Sequence, residues 1–157
     1  MIVHDTRVGP LYLDASAAGL TRCGFRPPDE SAPTPASSVL DHARRELDAY
    51  FDDELRTFTV AVDLSGHAPF DRRVLAGLAS VGHGERTTYG ELAAAVGLGP
   101  GDARRVGAAM ARNPVAIVVP CHRVVGADGS LTGYAGGLAR KRTLLDLEAR
   151  ESTPQLW

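Results

Sequence analysis

Residues 113–126 read NPVAIVVPCHRVVG. It sets one of only two cysteines, Cys121, between a proline and the pair His122 and Arg123, directly after a short, strongly apolar run. Such a run reads as a buried strand, so the cysteine sits where a strand leaves the core, held rigidly yet reachable. A free thiol titrates near ~8.5; an adjacent histidine can draw off its proton, and a carboxylate can orient that histidine. Neighbours on an extended strand point apart, so Cys121 and His122 cooperate only if the chain turns, and Pro120 supplies a turn residue. Spacing leaves the carboxylate open among Asp128, Asp146 and Glu148. A Cys-His pair alone also fits a thiol hydrolase, a redox sensor or a buried cysteine of no chemical use.

The chain has 157 residues, 44% hydrophobic and 23% charged, enough for one well-cored domain or two small lobes. No apolar run is long enough to span a bilayer, and the start, MIVHDTRVGPLYL, lacks the basic flank and apolar core of an export signal. The expectation is a cytoplasmic protein, away from membranes, with Cys23 and Cys121 both reduced. There is no CxxC or HxxxH, and the five histidines (His4, His42, His67, His83, His122) lack ligand spacing, so no metal site is expected. The net charge of −2 hides an asymmetry: residues 1–103 carry −6, whereas residues 104–150 carry +5. The basic part contains Cys121, and a local positive surface can support phosphate contacts in a slightly acidic chain.

Two lobes are expected, an α/β N-terminal lobe over 1–66 and a mostly helical domain over 67–157. In the first, Leu11 to Asp14 and Leu20 to Phe25 form a hairpin, RPPDESAPTPASS is a loop, and a helix capped by Ser37 or Ser38 buries Leu40, Ala43, Leu47, Tyr50 and Phe51. TFTVAVDL alternates and predicts a further strand. In the second, PFDRRVLAGLASV places Phe70, Val74, Leu75 and Leu78 on a helical stripe. Thr88 and Glu91 make a capping box for a helix that closes at Gly97, and Asp102 caps the next helix, DARRVGAAMARN, which Asn113 and Pro114 stop. Two short helices joined by a glycine turn form a helix-turn-helix candidate, winged-helix-like in class. The last helix, GGLARKRTLLDLEAR, is expected to bury Leu138, Leu144, Leu145 and Leu147 and to expose the run Arg140, Lys141, Arg142.

The order and spacing of FDRRV, TTYGELAAAVG, ARRVGAAMARNP, PCHRVVG and GYAGGLARKRTLLDLE, over about Phe70 to Glu148, resemble the O6-alkylguanine-DNA alkyltransferase family. The resemblance implies direct-reversal DNA repair: one irreversible transfer of an alkyl group from O6 of guanine, or O4 of thymine, to Cys121 after base flipping. It implies His122 as base through a water, Glu148 as its orienting partner, Asn113 as brace of the turn, and Tyr89 as hydrogen-bond partner of the flipped base. Arg104 would fill the gap left in the stack. Arg105, Thr88, Gly107, Ala108 and Ala109 would lie on the DNA side, and Val119, Cys121, Tyr134 and Ala135 would shape the base pocket. The implied partner is double-stranded DNA containing O6-alkylguanine, bound by a monomer, with cooperative assembly on DNA left open, and no cofactor is required. The sequence departs from the family in having Leu75 where bacterial members commonly have Trp, and Gly82 where they have Pro.

Overall fold

A computed structural model describes residues 1–29 and 37–152, without the side chains of 150–152. Most of the expected loop RPPDESAPTPASS lies outside the described residues. The chain forms two compact units, Met1–His67 with Pro114–Val118, and Ala68–Asn113 with Val119 onward. Residues Pro114–Val118, most of the apolar run ahead of the cysteine, therefore fall in the first unit, whereas a boundary at residue 66 puts them in the second. No helix among the described residues is long and apolar enough to cross a membrane.

In the first unit, β1 (Ile2–Thr6), β2 (Gly9–Ala15) and β3 (Leu20–Gly24) form an antiparallel sheet in that order. The expected hairpin pairs Leu13 with Cys23 and Asp14 with Arg22, with a register shift at Asp14 and Ala15; β1 is an element the sequence reading did not place. Helix α1 (Ser38–Phe51) is capped by Ser37, whose side chain accepts from the amides of Val39 and Leu40. Its stripe of Leu40, Ala43, Leu47, Tyr50 and Phe51 is buried as expected, and Cys23 is a buried small side chain in the same unit.

TFTVAVDL does not form a strand. Glu46, a charged residue buried on α1, takes the amides of Thr59 (2.9 and 3.0 Å) and Val60 (2.7 Å) that a ladder would need. One parallel bridge, Leu20 to Val62, is all that remains of the alternation. Nor does the run before the cysteine extend. Val115 bridges Cys23, and the chain then reverses about Ile117, which is buried at φ 73° while the Val118 amide donates to Ala116 at 2.9 Å. A β-branched residue at positive φ is strained, and such strain persists only where surrounding packing holds it.

In the second unit, α2 (Pro69–Leu78), α3 (Tyr89–Ala95) and α4 (Ala103–Ala111) pack on one another. Val74, Leu75, Leu78, Leu92, Val106 and Ala109 form their core. Thr88 caps α3 by accepting from the Glu91 amide at 3.1 Å, and Gly97 ends it at φ 79°, a conformation that disfavours any side chain. Asp102 acts one turn earlier than expected, taking the Gly99 amide at 3.0 Å to cap a 3-10 turn that leads into α4. Leu75 is an ordinary core residue here. The Gly82 amide donates to Glu85 at 3.0 Å, a bond that proline could not make.

Helix α5 (Leu138–Ser152) corrects two expectations. Leu144, Leu145 and Leu147 are buried, but Leu138, in the first turn, is 48% exposed. Lys141 is 1% exposed rather than part of a solvated basic run.

Candidate active site

The cysteine is presented by two tight turns in succession. Pro120, at φ −85° and ψ 63°, centres a three-residue turn closed by the Cys121 amide on the Val119 carbonyl at 2.9 Å. Cys121–Arg123 then makes one 3-10 turn, and the Arg123 amide donates to the Pro120 carbonyl at 3.0 Å. The turn expected at Pro120 is therefore present, and it removes the objection that strand neighbours face apart. Directly afterwards β5 (Val124–Val125) pairs in parallel with β4 (Thr87–Thr88), Thr87 against Val124 and Thr88 against Val125. Because β4 runs straight into α3, this short ladder anchors the start of that helix, and hence Tyr89, to the strand leaving the cysteine turn.

Asn113, at the end of α4, reaches both parts of the turn. Its Nδ2 donates to the Val119 carbonyl at 2.9 Å and to Cys121 Sγ at 3.2 Å. The Val119 carbonyl thus accepts from both Asn113 and the Cys121 amide. Burial pushes the Cys121 thiol up from its ordinary pKa, while the Asn113 hydrogen bond and the Lys141 charge pull in the opposite direction. A raised thiol holds little thiolate at neutral pH, so reaction at this sulfur needs a base at hand.

The neighbouring imidazole is held from behind. His122, fully buried, lies with Nε2 2.7 Å from Glu148 Oε2, which selects Glu148 from the three carboxylates left open by spacing. Asp128 is instead tied into its own turn, accepting from the Ser130 hydroxyl at 2.6 Å, and Asp146 is exposed. Arg123 completes the cluster, with Nε 2.9 Å from Glu148 Oε1 and Nη2 3.0 Å from Oε2. Burial alone would raise the Glu148 carboxyl, but its bonds from His122 and Arg123 hold it well below the usual carboxylate range. Burial lowers the pKa of His122 despite the carboxylate, so the ring is neutral at neutral pH and able to accept a proton. Its Nδ1 is buried and has no hydrogen-bond partner among the described residues.

Tyr89 is half-buried, and its hydroxyl lies 2.7 Å from the hydroxyl of Thr132, a residue the sequence reading did not single out. Thr132 in turn accepts through its backbone carbonyl from Lys141 Nζ at 3.0 Å. Tyr134 is half-buried in the same loop, and Ala135 is exposed.

On α4 the expected DNA-side residues separate. Arg104 is exposed and makes no hydrogen bond or ion pair among the described residues. Arg105 is engaged: it donates to Asp102 at 3.0 Å and lies 4.3 Å above the Phe70 ring centre. Ala108 is exposed, whereas Ala109 is fully buried and cannot offer its side chain to a partner. A side chain on Gly107 would point at the Tyr89 ring, 3.5 Å away, so the bare backbone there faces the tyrosine. The Thr88 hydroxyl is committed to its own cap, donating to the Glu91 carboxylate at 3.1 Å. No group of three or more metal-binding side chains occurs among the described residues.

Together these contacts set a braced thiol next in sequence to a buried, carboxylate-oriented histidine, a combination suited to nucleophilic chemistry at sulfur. Residues 69–150 match the family model described as the DNA-binding domain of 6-O-methylguanine DNA methyltransferase. A methylated-DNA–protein-cysteine methyltransferase of Mycobacterium leprae is 44% identical over 151 residues, covering 94% of this chain and 90% of the relative. One from Methanosarcina acetivorans is 41% identical, covering 93% and 96%. The crystal structure of Mycobacterium tuberculosis OGT in complex with DNA has a TM-score of 0.83 at 43% identity, covering 94% of this chain and 91% of that one. The chain belongs to the methylated-DNA–protein-cysteine methyltransferase family.

Proposed function

We infer that this protein repairs alkylated DNA by direct reversal, moving an alkyl group from O6 of guanine, and from O4 of thymine, onto Cys121 in one irreversible turnover. The observation that carries the assignment of roles is the His122 to Glu148 bond at 2.7 Å, which leaves the other ring nitrogen buried and uncommitted. In the transfer, the thiol proton passes through a water to that nitrogen. The sulfur forms a bond to the alkyl carbon as the carbon–oxygen bond breaks. The electron pair stays on the guanine oxygen, and the leaving base takes a proton from Tyr89, which is restored from the proton held at His122. The net change is thiol to thioether and alkylguanine to guanine, so no cofactor is consumed. Nothing in the site breaks a thioether, so the protein acts once.

The alkyl carbon is inaccessible inside the stack, so the nucleotide is extruded at a cost of a few kcal/mol. Helices α3 and α4, joined through Gly97 and the 3-10 turn, serve as the helix-turn-helix that binds the minor groove of double-stranded DNA. Arg104 enters the stack in place of the extruded base, a role that suits an exposed guanidinium with no partner of its own. Arg105, Thr88 and Ala108 lie beside it, and Gly107 lets α4 approach closely. Tyr134 and Ala135 close over the base, Tyr89 exchanges its bond to Thr132 for one to the base, and Val119 and Cys121 present backbone groups to its edge. The protein works in the cytoplasm as a monomer.

Intact-protein mass spectrometry after mixing with an equimolar duplex containing one O6-methylguanine tests this reading. The expected result is a gain of one methyl mass, mapped to Cys121 and absent from Cys121→Ala, which still binds the duplex. A bound duplex with no mass gain, or a methyl group mapped elsewhere, would overturn it.

A further inference from the structure

Tyr89 is held at both ends. Its hydroxyl lies 2.7 Å from Thr132 Oγ1, and its ring faces the bare backbone of Gly107 on α4, where a side chain would come to 3.5 Å from it. Thr132 is fixed in turn, because its backbone carbonyl accepts from Nζ of the buried Lys141 on α5 at 3.0 Å. Polar side chains in loops commonly bond to the backbone beside them. Asp128 does so in this same loop, accepting from the Ser130 amide at 3.0 Å. The Thr132 hydroxyl instead reaches the first residue of α3, and it makes no other hydrogen bond among the described residues.

In the resting pair either oxygen can be the donor. Transfer removes that freedom, for a phenol that turns its proton to the base no longer donates to Thr132. Its oxygen then accepts only, and the threonine hydroxyl rotates to donate to it. As the proton leaves, the phenol oxygen gains negative charge, and a hydroxyl bonds an ionised oxygen more strongly than a neutral one. An interaction that strengthens as the reaction proceeds speeds the chemical step, whereas one that is equally strong throughout does not.

We propose that Thr132 is a positioning residue of the alkyl transfer: its hydroxyl holds the Tyr89 phenol in place and donates to the phenol oxygen as that oxygen's proton passes to the leaving guanine. This role depends on Tyr89 as the proton donor. The phenol O–H bond breaks and the proton joins the guanine, whose bond to the alkyl carbon has broken. Threonine keeps its own proton throughout, and the phenol is restored from the proton held at His122.

The experiment compares Thr132→Val, which keeps the side-chain shape and the carbonyl for Lys141 but lacks the hydroxyl, with Thr132→Ser, which keeps the hydroxyl. Each is made in the full chain, with Tyr89 intact and with Tyr89→Phe. Two rates are measured: single-turnover transfer from a saturating O6-methylguanine duplex, whose leaving group takes up a proton, and alkylation of Cys121 by iodoacetamide, from which iodide leaves without one. Thr132→Val should slow transfer by about tenfold, as for a lost hydrogen bond to a charged group. Its iodoacetamide rate should match wild type, and Thr132→Ser should restore most of the transfer rate. In Tyr89→Phe the valine should add no further slowing, because the hydroxyl has no phenol oxygen to serve. Wild-type transfer by Thr132→Val, or no restoration by serine, would overturn the proposal. So would equal loss of both reactions, or a valine effect undiminished in Tyr89→Phe, since either would mean that Thr132 only supports its loop. If Tyr89→Phe alone transferred at the wild-type rate, the tyrosine would not be the proton donor, a failure read from that variant before any change at Thr132.

Discussion

Glu148 holds His122 and Arg123 at once: one carboxylate accepts from His122 Nε2 at 2.7 Å and from Arg123 at 2.9 and 3.0 Å, all three groups being buried. The carboxylate therefore orients the imidazole and neutralises a guanidinium inside the fold. Removing it by Glu148→Ala leaves a buried Arg123 without its counter-charge, and breaking a buried pair in this way costs about 3–5 kcal/mol. Urea unfolding at neutral pH should show a loss of that size, together with a slower transfer rate. A loss below about 1 kcal/mol, the range of exposed pairs, would mean that the cluster is solvated.

The same cluster sets the response to acid. Glu148 is held below its ordinary pKa in the folded state, so its stabilisation is present above about 4.5, the unfolded value, and is lost as pH falls toward the folded one. His122 is lowered from 6.5, so the unfolded chain takes up a proton first and stability declines from about that pH downward. Both slopes have the same sign. Unfolding free energy should fall continuously on acidification from pH 7, and His122→Gln should flatten the upper part of the fall, where histidine but not carboxylate titrates. An unchanged upper slope in that variant would remove His122 as its source.

Much of the site could be read along the chain because its parts are local. Pro120 announces the turn, Asn113 sits at the end of a patterned helix, and Thr88 with Glu91 marks the start of α3. What stayed hidden involves polar residues in places where a pattern reading looks for apolar ones. The buried stripe of α5 includes Lys141, Leu144, Leu145 and Glu148, spaced as one helical face but charged at both ends. Apolar periodicity therefore placed Lys141 in solvent, and only the family resemblance distinguished Glu148 from Asp128 and Asp146. Glu46 misled in the same way: by taking the Thr59 and Val60 amides it leaves an alternating segment with no ladder to join. Thr132 lies in a loop with no period, and its place beside Tyr89 depends on a contact 43 residues distant in sequence.

Asn113 donates from one nitrogen to the Val119 carbonyl and to the Cys121 sulfur. Asn113→Ala should act on both the turn and the thiol. Losing a donor to a forming thiolate costs roughly 1.5–3 kcal/mol, the range for hydrogen bonds to charged groups, so the single-turnover rate should fall by about tenfold or more. Asn113→Asp should do worse, since a negative group would face the forming thiolate. Equal rates for the Ala and Asp variants would show that Asn113 acts on the backbone alone.

Arg104 and Arg105 are adjacent yet differently placed, and the difference predicts different phenotypes. Arg104 is exposed and unengaged, while Arg105 is tied to Asp102 at 3.0 Å and stacked 4.3 Å over Phe70. A side chain that fills the vacated stack contributes when the base is out, so Arg104→Ala should lower the repair rate on duplex more than it lowers affinity for undamaged DNA. Arg105→Ala removes an exposed pair and a cation–π contact, worth about 0.5–1 kcal/mol each at such sites. Its main effect should be on unfolding rather than on flipping. Single-turnover rates on duplex and on single-stranded O6-methylguanine DNA separate the two, because a single strand presents no vacated stack to fill. If Arg104→Ala slows both substrates equally, the arginine contributes general phosphate attraction and the intruding role passes to another residue.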